Sequence, residues 1–73
     1  MRFSKGVYAK VEFNTESKGY KSTYLGGCSE DLYDELEAEF GHEVATEASS
    51  WAEVACVGET YEHEEFTIEM VEI

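Results

Sequence analysis

The sequence predicts an α+β fold of two layers: a three-stranded, antiparallel-rich sheet with two helices on one face, in the order β-β-α-α-β. Three observations lead there. Apolar and polar residues alternate over 7–13 and again over 66–73, the period of a half-buried strand. Between them, residues 29–41 and 42–58 repeat apolar side chains at helical spacing, and glycines punctuate the joins. The chain of 73 residues is long enough for one domain, 1–73. Its 42% apolar and 14% aromatic content supplies a core. That content argues against intrinsic disorder, which needs low hydrophobicity as well as high net charge.

In the first strand Val7, Ala9, Val11 and Phe13 share one face and Tyr8, Lys10 and Glu12 the other. "NTESKG" (14–19) has the residues of a turn, and "YKSTYL" (20–25) reads as an antiparallel second strand that Gly26-Gly27 ends. Ser29 stands where a helix N-cap belongs, with Glu30 and Asp31 in the first turn, where the helix dipole favours anions. Leu32, Tyr33, Leu36 and Phe40 form the stripe of that helix, and Gly41 is suited to end it. The second helix has the stripe Val44, Ala48, Trp51, Ala52 and Ala55, with Gly58 as its stop and Cys56 as a small core residue. The stretch "ETYEHEE" (59–65) reads as a polar turn, and "FTIEMVEI" as the last strand, expected beside the first.

Several classes of chemistry lack their residues. His42 and His63 do not form HExxH, the calcium-loop pattern is absent, and neither GxGxxG nor GxxxxGK[ST] occurs. Cys28 at a helix start has no histidine fixed near it by sequence, so no catalytic residue, metal site or cofactor is assigned. Cys28 and Cys56 form no CxxC, and "MRFSKGVYAK" has no apolar h-region. Reduced thiols and a cytoplasmic location are therefore expected. No apolar run approaches the roughly 18 residues of a membrane span.

The charge is the informative feature. Residues 1–21 hold all five bases (Arg2, Lys5, Lys10, Lys18, Lys21) and two acids, whereas residues 22–73 hold fifteen acids and no Lys or Arg. In "SEDLYDELEAEFGHE" (29–43) seven of fifteen residues are acidic. Glu30, Asp34 and Glu37 make one row at helical spacing, and Asp31, Glu35 and Glu39 the next. Like charges three or four apart on a helix cost a few tenths of a kcal/mol per pair, so local structure does not account for them. With a net charge of −12, direct binding to DNA or RNA is opposed by the protein's own field, although Tyr8, Tyr20, Tyr24 and Tyr61 would offer stacking surfaces. Two readings of the acid stand side by side: a surface acidic for solubility alone, and an electrostatic contact. For the contact, the fitting partner is a protein whose Lys/Arg groove handles nucleic acid.

In size and charge the chain resembles the small, acidic, phage-encoded inhibitors of bacterial defence, the anti-CRISPR and antirestriction proteins. The likeness covers the whole chain and rests on no diagnostic motif. It implies a non-enzymatic inhibitor that occupies the basic channel of a CRISPR effector or restriction enzyme. The residues expected to do so are Glu30, Asp31, Asp34, Glu35, Glu37, Glu39, Glu43 and Glu47, with Tyr33 or Tyr61 as an anchor. The alternative expectation is an acidic accessory module, a homodimer through a sheet face bearing Tyr8, Tyr20, Tyr24 and Val71.

Overall fold

A computed structural model describes residues 3–14 and 23–73. Along them run β1 (Val7–Phe13), β2 (Thr23–Gly26), α1 (Ser29–Phe40), α2 (His42–Val54), β3 (Thr60–Glu62) and β4 (Phe66–Glu72). Residues 15–22, which include most of the expected turn and the start of the second strand, lie outside the described residues.

The fold is α+β, an antiparallel sheet with two helices. The sheet has four strands rather than the three expected, in the order β2-β1-β4-β3. β1 lies against β4 from Val7↔Glu72 to Phe13↔Phe66, so the last strand does neighbour the first, and the contact is antiparallel. The additional strand falls within the stretch expected to be a turn, where Thr60, Tyr61 and Glu62 pair with Glu69, Ile68 and Thr67. A three-residue strand with one apolar side chain has no alternation to detect.

Period-two geometry sends Ala9, Val11 and Phe13 of β1 and Phe66, Ile68 and Met70 of β4 to the same face, where all six are buried. Leu32 and Leu36 of α1 and Ala45, Ala48 and Ala52 of α2 close over them in one core. Phe40 bridges the layers at the far end of α1, with ring centroids 5.2 Å from Phe66 and 6.1 Å from Phe13. The other face of β1 and β4 presents Tyr8, Lys10, Glu12, Thr67, Glu69 and Val71 and, among the described residues, carries no helix.

Three local readings are corrected. Ser29 is not the N-cap of α1: Cys28 holds that position in extended backbone, without a side-chain cap bond, and Ser29 is a buried first-turn residue. α2 stops at Val54, and its buried face is Ala45, Ala48, Ser49 and Ala52, with Val44, Trp51 and Ala55 half-buried beside it. Cys56 is therefore exposed rather than in the core. Ala55 turns extended there, and the Cys56 amide donates to the Glu59 carboxylate at 2.6 Å.

The two helices share one residue as a joint. Gly41 has φ 92° and ψ 175°, a region essentially confined to glycine. Its N–H donates to the Glu37 carbonyl at 3.0 Å, and its own carbonyl accepts from Ala45 at 3.2 Å. The reversal fixes α2 antiparallel against α1 and so brings their polar flanks together. Among the described residues no helix is long and apolar enough to cross a membrane.

Candidate functional site

The helical layer, residues 29–54, carries nine carboxylates and no Lys or Arg. Because α1 turns Ser29, Leu32 and Leu36 inward, its acids are distributed over the rest of its circumference. Glu30, Asp31, Asp34, Glu37 and Glu39 are exposed and Glu35 is half-buried; Glu43 and Glu47 of α2 are exposed. The eight residues expected to meet a partner thus all lie in the helical layer. Six of them, Glu30, Asp31, Asp34, Glu35, Glu37 and Glu47, are spread over three flanks rather than one face.

The first flank is a cleft between the helices, of about 260 Å³, lined by Ser29, Glu30, Tyr33, Asp34, Ser49 and Glu53. Ser29 lies near the floor, 3% exposed, and its Oγ is 2.9 Å from Oε2 of Glu53 and 3.2 Å from Oε1 of Glu30. A serine hydroxyl has one proton, so it serves these two carboxylates alternately. Farther along the same seam, the Tyr33 hydroxyl donates to Oε2 of Glu37 at 2.8 Å and meets Nδ1 of His42 at 2.5 Å. With the phenol proton directed at Glu37, Nδ1 of His42 supplies the hydrogen of the second bond. Donation to Glu37 raises the Tyr33 phenol above the ordinary tyrosine range.

The second flank faces β2. Tyr24 donates its hydroxyl to the Asp31 carbonyl at 3.3 Å, and burial, followed by the charges of Asp31 and Glu35, raises its pKa. The third faces β3, where Tyr61 lies 5.4 Å from the Trp51 ring and is raised by burial and then by Glu47. Each row of acids expected on α1 therefore follows its own side of the helix, one toward α2 and one toward β2.

Two aromatic expectations change. Tyr61, opposite Ile68, and Tyr24, opposite Val11, are on the core face of the sheet. Tyr61 is not an exposed anchor, and Tyr24 does not join the open face. Tyr33 remains at the surface, and Tyr8 and Val71 face each other across the open side of β1 and β4. Tyr20 lies outside the described residues. On the open face Lys10 pairs with Glu12 at 3.4 Å and lies opposite Glu69, so this face mixes charge of both signs.

Glu53, which is not among the contact residues expected from the sequence, lies in the cleft. Ser29 and Glu53 are 24 positions apart, so their meeting has no local sequence signal and depends on the Gly41 reversal. Among the described residues no three His, Cys, Asp or Glu side chains are arranged to hold a metal ion. No protein-family model matches the chain, and no curated protein or solved structure is significantly similar to it.

Proposed function

We propose that this protein is a non-enzymatic inhibitor of the anti-CRISPR or antirestriction type, acting in the cytoplasm of a bacterial host. Its helical layer docks in the basic nucleic-acid channel of a defence protein and excludes DNA from it. The observation that carries this reading is the charge of that layer: nine carboxylates over residues 29–54, eight of them exposed, with no Lys or Arg among them. Duplex DNA likewise presents about one charge per 1.7 Å of axis to Lys and Arg side chains. An array of this kind is steered quickly into a positive groove, and its affinity falls with salt. Tyr33, at the edge of the cleft, supplies the aromatic contact that slows dissociation.

The test is competition. Purified CRISPR effector complexes and restriction endonucleases are titrated with the protein in the presence of labelled duplex DNA. Displacement of DNA is expected from at least one of them, weakening as salt rises. The variant D34K/E35K/E37K, which keeps every buried side chain, should fold normally and lose displacement. Undiminished displacement by that variant would show that the surface is wrongly assigned.

A second reading is a homodimeric accessory module. It is favoured by the sheet face that no described helix covers, with the partly exposed Tyr8 and Val71 and the half-exposed Leu25. Light scattering over a concentration series separates the two, since only this reading requires a dimer.

A further inference from the structure

We infer that the helical hairpin α1–α2 opens locally, below global unfolding, and that positive charge brought to its surface closes it. Two independent features converge on this. The first is like-charge spacing. Asp31–Asp34, Asp31–Glu35, Asp34–Glu37 and Glu43–Glu47 are all three or four residues apart on one helix, each a small penalty on the helical state. The second is weak anchoring. α1 holds the core with Leu32 and Leu36. The buried side chains of α2 are the small Ala45, Ala48, Ser49 and Ala52, with Val44, Trp51 and Ala55 only half-buried beside them, so α2 is the element of the hairpin that opens. The termini add nothing: neither helix has a side-chain N-cap bond or a basic residue in its last turn. Elements with few large apolar contacts are the ones that open first in native proteins.

The consequence for recognition is that the partner consolidates the surface it binds. In the open hairpin the carboxylates separate and their repulsion relaxes; in the closed hairpin they are held together. A cation that favours the closed array therefore stabilises it by linkage, and part of the binding free energy is used in closing it.

Hydrogen exchange on the full chain tests this, with rates referred to the unfolded peptide in the same buffer. At about 0.01 M salt, where the screening length is about 30 Å, the α1 and α2 amides should exchange faster than those paired between β1 and β4. Raising salt to about 1 M should slow the helix amides about tenfold, the size four like-charge pairs imply. The double variant D34N/E43Q should produce part of that slowing at low salt, with no salt added. One exchange rate common to helices and sheet would overturn local opening. Helix rates that ignore both salt and D34N/E43Q would overturn the role of charge. Closing by a partner rests on the proposed function and has its own arm. An oligo-arginine peptide at low salt should protect the helices more than sodium chloride of equal ionic strength, and equal protection would overturn that arm alone.

Discussion

β1 and β4 bury Val11, Phe13, Phe66, Ile68 and Met70 in the core, whereas α2 buries three alanines and a serine and packs Val44, Trp51 and Ala55 half-buried beside them. The outer surfaces differ as sharply: the open sheet face has Lys10 between Glu12 and Glu69, and the helical layer has carboxylates without a base. Large apolar side chains and mixed charge are what a surface under selection for stability acquires. The helical layer supplies Leu32 and Leu36 to the core, but its outer surface has no Lys or Arg to balance its carboxylates. In this molecule the larger buried side chains come mostly from the sheet, and the unbalanced negative charge is concentrated in the helical layer.

The largest expected effect probes cohesion. Phe66 is fully buried and contacts rings from three directions, Phe40, Tyr61 and His63. Phe66→Ala should cost about 3–5 kcal/mol, enough to unfold a domain of this size at moderate temperature. Urea or thermal denaturation followed by circular dichroism reads this directly. A loss below about 1 kcal/mol would mean that the sheet side of the core is not the dominant one. Next is the joint. Gly41 has open space where a Cβ would be added, so Gly41→Ala tests backbone strain without a clash. It should cost about 1–3 kcal/mol and be felt in the helices before the sheet.

How far the residues alone foretell this division depends on whether a pattern is local. β1, β4 and α1 carry alternation or a stripe over seven or more residues, and each was legible. β3 was not, because three residues with one tyrosine hold no period; its strand character comes from pairing with β4. Ser29 matched an N-cap by type and position, but the buried interhelical seam overrode the local preference. Tyr24 and Tyr61 looked alike to Tyr8 as aromatic residues in polar company. The register that points two inward and one outward is tertiary information. The excess of acid in residues 22–73 was plain, whereas its partition over three flanks required the helix pair to be placed.

A smaller effect sets the layers against each other. Asp34 is exposed, with Glu30, Asp31 and Glu37 three or four residues away on the helix. Asp34→Lys replaces three repulsions with three attractions and a weak helix former with a better one. It should raise stability by about 0.5–1 kcal/mol. The same substitution should weaken binding to any basic partner. A variant that gains stability and loses affinity would show directly that the helical layer trades cohesion for charge. A destabilised variant would show that Asp34 is placed for the fold, and the contrast between layers would lose its meaning.

The smallest effect is read at alkaline pH and locates the field itself. Tyr24, Tyr33 and Tyr61 all have phenols raised above the ordinary value: Tyr24 and Tyr61 by burial first and carboxylates second, Tyr33 first by its bond to Glu37. A raised folded value means that the native state holds the proton more tightly than the unfolded chain does. The stabilisation is therefore complete below about pH 10, the unfolded tyrosine value, and is lost as pH climbs through the folded values. Ultraviolet titration should show late phenols in the native protein that return to the ordinary range in urea. Tyr24→Phe, Tyr33→Phe and Tyr61→Phe should each remove part of that late absorbance. Glu47→Gln should bring the Tyr61 step down while leaving those of Tyr24 and Tyr33 in place, since other carboxylates surround them. The three phenols sit on the three flanks of the helical layer. The part of each shift that is lost when its neighbouring carboxylate is neutralised reports the local negative potential, the rest being burial or hydrogen bonding. If native and urea titrations coincide, the carboxylates exert no concentrated field where the phenols are, and a charge-driven grip on a basic groove loses its physical basis.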